Sequence, residues 1–209
     1  MRIAYQIGDA AAKTPGAPTR IRLIDAPAGA QVEVSVNAAA DSAWLVLAGQ
    51  INIGDVLCAK YDYQERRAGE NSVTLATQHG ARVMLRESIP DPRRPGSTGP
   101  VRTTRAGQMA WEALADGVNR RLLAPPKGSA AAYFVQLAAG AAAPAHRHGL
   151  AEECLVLEGE MYLDDTLLFG GDFQLAPAGG QHNEASSERG VLLLVHGDLE
   201  LDVIDTEQH

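Results

Sequence analysis

The chain has 209 residues, enough for one large domain or two of about 100 residues, each able to bury its own core. Its formal net charge is -8 and no basic cluster marks a phosphate-binding face, which argues against direct nucleic-acid binding. No charged segment followed by a long apolar run suggests a leader or a membrane span, so no membrane association and a cytoplasmic location are expected; Cys58 and Cys154 lack close partners and read as reduced thiols.

Short apolar/polar alternations punctuated by Gly, Pro, Asn and Asp predict an all-β chain with few helices. In the first half the expected strands are 21–24, 31–36, 43–47, 50–53, 55–58, 72–76 and 82–86. Residues 89–100 contain four prolines, which deny that stretch both helix and central strand. This divides the chain into a first domain at 1–90, a Pro-rich linker at 91–106 and a second domain at 107–209. Strands follow at 132–137, 153–157, 160–163, 172–175 and 191–195. Within the first of these, Tyr133, Val135 and Leu137 share one face and Phe134 and Gln136 the other; alternation alone leaves the inward face open.

The two halves repeat. Leu45-Val-Leu-Ala-Gly49 aligns with Leu155-Val-Leu-Glu-Gly159 at an offset of 110, which also places Asp172 on Asp62, Phe173 on Tyr63 and Gly190 on Gly80. Upstream the register slips by one, since Gly140 pairs better with Gly29 than with Ala30, as a loop insertion produces. Two copies of one barrel are therefore expected.

Only the second copy carries a cluster of metal-ligand types. His146 and His148 are two apart and face the same way on a strand, and Glu152 opens the next strand with Cys154 and Val156 on its face and Glu153 on the other. His182 follows the turn Pro177-Ala178-Gly179. Three imidazoles and one carboxylate suit Zn(II), Fe(II), Mn(II) or Ni(II). Glu153 is the alternative carboxylate, disfavoured by alternation; Cys154 points toward the same interior, where a packing role outweighs ligation or redox sensing. The offset of 110 puts Val36, Ala38, Ser42 and Ser72 in place of the four ligands, so the first copy is expected to hold no such metal. Trp44, in place of Cys154, should fill that barrel.

The run from Gly140 through His146, His148 and Glu152 to Gly159, with that from Gly171 through Pro177 and Gly179 to His182, resembles the two cupin motifs. The asparagine often found four residues after the second-motif histidine is Ser186 here. Residues 144–159, with the lead-in around Trp111, most resemble the cupin-like domain of ChrR-type anti-sigma factors. The resemblance implies two tandem double-stranded β-helix (jelly-roll) barrels and zinc held by His146, His148, Glu152 and His182. It does not extend to anti-sigma activity, because residues 1–100 contain no Cys-x-x-Cys.

Three roles follow as expectations. The first is a regulatory or sensory bicupin with a closed zinc shell. The second is an Fe(II)- or Mn(II)-dependent dioxygenase, or an isomerase or lyase, acting on a small organic molecule in the C-terminal barrel. The third is a metal-stabilised assembly subunit, with homodimer formation through strand edges. No catalytic residue is assigned.

Overall fold

The computed structural model describes residues 2–5, 18–90, 101–123, 130–199 and 202–204. The chain divides into two compact units, Met1–Gln108 and Met109–His209. The described residues contain no helix, hence none long and apolar enough to cross a membrane.

The first unit contains β1 (Arg2–Tyr5), β2 (Pro18–Ala26), β3 (Gln31–Ser35), β4 (Asp41–Ile53), β5 (Val56–Ala59), β6 (Tyr63–Arg66), β7 (Ser72–Ala76), β8 (Ala81–Ser88) and β9 (Val101–Thr104). Its main face runs β1-β2-β8-β4-β6-β9; the far half of β4 turns onto a second face with β5 and β7, and β3 pairs with β7. The second unit contains β10 (Glu112–Ala115), β11 (Val118–Leu122), β12 (Ala130–Leu137), β13 (Ala142–Ala143), β14 (His146–Arg147), β15 (Glu152–Leu163), β16 (Thr166–Phe169), β17 (Phe173–Ala176), β18 (Gln181–His182), β19 (Ala185–Ser186), β20 (Val191–Asp198) and β21 (Asp202–Val203). There the order is β10-β11-β12-β20-β15-β19-β13, with β16 and β17 also on β15, plus a small sheet β18-β14-β21. Each unit is an antiparallel jelly-roll barrel.

Two strands expected on either side of Gly49 are one continuous β4, and the same holds for β15 around Gly159. The reason is local. Both glycines adopt a left-handed φ (+75° and +81°), next to a bulge at Val46/Ala48 in one copy and Val156/Glu158 in the other. The bulge and kink let one strand serve both faces of its barrel. A Cβ at Gly49 would lie 2.2 Å from the Gly80 carbonyl oxygen, and one at Gly159 would lie 2.0 Å from that of Gly190, so no other residue fits.

The slip in the repeat is visible in the pairing. Ala26 faces Ala81 in the first copy and Leu137 faces Val191 in the second, so residues before the intervening loops stand 111 apart and those after them 110 apart. This corrects two of the expected equivalences. β3 pairs Ser35 with Ser72 where β14 pairs His146 with His182, so His146 corresponds to Ser35 and His148 to Asn37, not to Val36 and Ala38. Of the expected linker, residues 91–100 lie outside the described residues, whereas Val101–Thr104 form β9 and pair with β6.

Trp44 is fully buried in the first barrel's core among Ile24, Val46, Ile51, Leu75 and Leu85. Its indole N–H donates to Ser42 Oγ at 3.1 Å, the hydrogen bond that a buried indole needs.

Candidate metal centre

The second barrel brings the four residues of the sequence pattern to one end of its interior. His146 lies directly opposite His182 across β14 and β18, where facing Cβ atoms stand about 5 Å apart. The pairing runs on past β14, because the His148 N–H donates to the Gly180 carbonyl at 2.9 Å and the His148 carbonyl accepts from Gly179 at 2.7 Å. Glu152 and Cys154 face the same interior from β15. The ring centroids of His146 and His148 are 4.9 Å apart, those of His148 and His182 5.0 Å, and those of His146 and His182 5.7 Å.

Hydrogen bonding sets two tautomers. The Pro144 carbonyl accepts from His146 Nδ1 at 2.8 Å, and the Asp164 carboxylate accepts from His182 Nδ1 at 3.1 Å. Each ring therefore carries its proton on Nδ1 and turns the Nε2 lone pair elsewhere. His182 Nε2 and both ring nitrogens of His148 are buried without a hydrogen-bond partner, a costly arrangement for polar atoms that nothing satisfies.

This donor set fits a divalent ion. His148, Glu152 and His182 each offer a ligand atom, all within 4.8 Å of one another, and His148 Nδ1 is 3.6 Å from Glu152 Oε2. Donors about 2.1 Å from a tetrahedral ion stand about 3.4 Å apart, close to the spacing of His148 Nδ1 and Glu152 Oε2. His146 lies at the edge of the cluster, outside that closest group.

Burial, reinforced by the neighbouring His146 and His182, pushes His148 down to about 4, and burial likewise lowers His146. Near neutral pH both are uncharged imidazoles, the form that ligates metal. Burial, and then the charge of Asp198, raises Glu152 to about 7, with the Tyr133 hydroxyl pulling the other way. Burial pushes the Cys154 thiol far above its ordinary range, the opposite of what a redox-sensing cysteine requires.

Asp164 is the site residue that the sequence pattern missed. It holds the turn between β15 and β16 at φ +50°, accepts from the Asn183 and Glu184 N–H groups at 2.8 and 3.3 Å, and braces His182. Ser186, standing where cupins often place asparagine, instead donates to Glu184 at 2.8 Å. The available signal was the repeat: the equivalent turn residue is Gly54, also left-handed at φ +61°, and an aspartate replacing a glycine at such a φ calls for a reason.

In the first barrel the ligand positions hold Ser35, Asn37, Ser42 and Ser72. The carboxylate has moved to the adjacent strand. Ser42 on β4 pairs with Glu87 on β8, whereas in the second barrel Glu152 stands on β15 and Gly197 on β20. Glu87 accepts from Arg20, from Arg22 at 3.3 Å and from the Asn37 N–H at 2.7 Å. Burial alone would raise its pKa, and these bonds and charges reverse that and hold it below the ordinary value. A Cβ at Gly197 would lie 2.9 Å from Glu152 Cγ, so the glycine makes the room that Glu152 occupies.

Beside the histidine cluster lies a cavity of about 330 Å³. Val118, Val135, Leu137, Met161, Leu163 and Leu193 supply apolar walls, and His146, Glu152 and His182 supply part of the boundary. Tyr133, Val135 and Leu137 thus form the inward face of β12.

An antiparallel jelly roll with such a cluster inside has the cupin fold, and the C-terminal half of the chain is similar to a cupin family. Residues 101–199 match the model described as the ChrR cupin-like domain. Among solved structures the whole chain is similar to a putative dioxygenase from Nostoc punctiforme, with 16% identity over 99% of this chain and 80% of that one and a TM-score of 0.69. It is similar to a putative glyoxylate-induced protein from Pseudomonas aeruginosa, with 12% identity over 90% and 78% of the two chains and a TM-score of 0.72. It is also similar to a salicylate 1,2-dioxygenase from Pseudaminobacter salicylatoxidans, with 14% identity over 92% and 73% and a TM-score of 0.63. No curated protein sequence matches.

Proposed function

We propose that the C-terminal barrel binds one divalent metal ion through His146, His148, Glu152 and His182 and presents it to a small, largely apolar organic molecule in the adjoining cavity. The observation that carries this reading is the set of unpartnered nitrogens, His148 Nδ1 and Nε2 and His182 Nε2, buried beside a cavity-facing carboxyl. The cavity favours a metal-dependent enzyme of the dioxygenase, isomerase or lyase kind over a shell closed on all sides, because it gives an oxygen-bearing molecule access to the ligand cluster. A bound metal ion would supply Lewis-acid polarisation or redox chemistry at such an oxygen.

The chain's own residues do the rest. The Pro144 carbonyl and Asp164 orient two imidazoles, His148 anchors the cluster from its fully buried position, and the aliphatic walls keep water away. Glu152 is the cavity-facing group able to hold or release a proton near neutral pH.

The second reading, a regulatory zinc module, is favoured by the match of residues 101–199 to the ChrR cupin-like domain. Metal analysis of protein purified without added metal, followed by cobalt substitution and visible spectroscopy, separates the two. Iron or manganese with exchangeable coordination positions supports the enzyme, and stoichiometric zinc without exchangeable water supports the regulator. Protein that retains no divalent metal overturns both.

A further inference from the structure

The cavity wall contains a polar acceptor that neither the histidine cluster nor the chain itself satisfies. Gln174 on β17 lines the cavity, and its Oε1 is buried without a hydrogen-bond partner. The other repeat shows what this amide does when satisfied. The equivalent Gln64 is fully buried, its Nε2 donates to Thr103 Oγ1 at 3.1 Å and its Oε1 accepts from Arg66 at 2.9 Å. Arg66 is replaced by Ala176 in the second barrel, so the amide oxygen has lost that donor while the Gln174 side chain stands in the cavity wall.

The geometry points to Gln174 as the residue that selects the molecule in this cavity, by accepting a hydrogen bond from its hydroxyl group. This inference rests on the proposed small-molecule site and names its substrate class: a neutral, hydroxyl-bearing compound with an apolar body. The size follows from the volume, since about 330 Å³ is room for roughly eleven water-sized groups, at the small end of ligand pockets.

The placement follows from the register. Gln174 faces Cys154 across β15, and Ala176 faces Glu152, so the amide is two residues, about 7 Å, along the sheet from the ligand carboxylate. A molecule reaching the cluster at one end can meet the amide with a hydroxyl on its flank.

Neutrality follows from the cation in the same wall. Arg120 also lines the cavity, but one terminal nitrogen of its guanidinium donates to the Leu199 carbonyl and the other to Glu112 at 2.9 Å, so its charge is already matched. Its buried Nε has no acceptor and complements an oxygen on the same molecule. Leaving Gln174 Oε1 unmet is what discriminates: a hydroxyl satisfies it, whereas a methyl group in the same place seals it off from any donor.

The test uses the full chain with the metal it retains on purification, and two probes of nearly equal shape, 4-ethylphenol and 4-ethyltoluene, titrated by calorimetry. The phenol is expected to bind at least about tenfold more tightly than the hydrocarbon, as hydroxyl-reading sites do. Gln174→Leu should bring the two affinities within about twofold, with metal content unchanged. If that variant does not fold, Gln174→Met makes the same comparison with a more adaptable side chain. Equal affinities in the unaltered protein, a preference surviving both substitutions, or binding of neither probe would overturn the inference. Metal content, measured on the same samples, separates this failure from that of the metal reading: a hydroxyl preference without metal leaves Gln174 as the selector and removes the metal, whereas stoichiometric metal without preference does the reverse.

Discussion

Replacing Glu152 by glutamine should stabilise the metal-free protein. The carboxyl is 8% exposed, and burial followed by the charge of Asp198 raises it from 4.5 to about 7. At about 1.4 kcal/mol per pH unit, ionising it within the fold costs about 3 kcal/mol more than ionising it in the unfolded chain. Because the folded value lies above the unfolded one, the group's contribution is fully present below pH 4.5 and is lost as pH rises through about 7. Glutamine keeps the shape and carries no charge. In urea titrations with chelator, Glu152→Gln is expected to exceed the unaltered protein by up to about 3 kcal/mol at pH 8, with the difference gone at pH 4. His148 works in the opposite sense. Its folded value is lowered from 6.5 to about 4, so its contribution is present above pH 6.5 and lost as pH falls toward 4. The two slopes oppose each other between about pH 4.5 and 6.5, and the variant, left with the histidine alone, should gain stability with pH across that window. Adding metal should reverse the order at pH 8, since the variant lacks a ligand and gains less from mass action. A variant no more stable than the unaltered protein at pH 8 without metal, or a difference independent of pH, would refute the reasoning.

His148→Ala should reduce bound metal below one-tenth of an equivalent by elemental analysis, because it removes the most deeply buried donor, whereas Ser42→Ala in the first barrel should leave metal content unchanged. Asp164→Ala should weaken metal affinity about 10- to 100-fold in competition with a chromophoric chelator while leaving secondary structure intact, since it frees His182 to rotate. Gly159→Ala should cost more than about 3 kcal/mol or prevent folding, with its Cβ 2.0 Å from a carbonyl oxygen, whereas Gly140→Ala, with open space around it at φ +78°, should cost only about 1 kcal/mol by thermal unfolding.

Much of this architecture is legible in the residues because the chain states it twice. The 110-residue offset, with its one-residue slip, is the pairing register of the two barrels, and alternation turns Glu152 inward and Glu153 away as the side-chain period requires. Other features depend on tertiary context. β14, β18 and β21 are two residues long each and carry no periodicity of their own, so nothing local announces that His146 faces His182 or that Val203 borders the cavity. The bracing of His182 comes from Asp164, eighteen positions earlier, through a side chain that reads locally as turn punctuation. The equivalence of His148 to Asn37 requires the slip to be carried through to the ligand strand, and a one-residue error there reverses every inward assignment.

The two barrels solve the same electrostatic problem differently, and the solution decides which one can act. A buried carboxylate at this end of a jelly roll needs a counter-charge, and the first barrel places it on β8 as Glu87, between Arg20 and Arg22, while the Asn37 backbone donates a further bond. That arrangement is complete within the chain. The second barrel keeps its carboxylate on β15, has Tyr133 and Ala131 where the first has Arg22 and Arg20, and places near Glu152 the imidazoles of His146 and His148, which bring no positive charge near neutral pH. Without a counter-charge Glu152 holds its proton up to about pH 7, and only a cation from outside the polypeptide would let it ionise at lower pH. Trp44, whose indole donates to Ser42 at the position of Glu152, is replaced by Cys154, so the second barrel loses that donor at the residue where its carboxylate stands and gains a smaller side chain in the cavity wall.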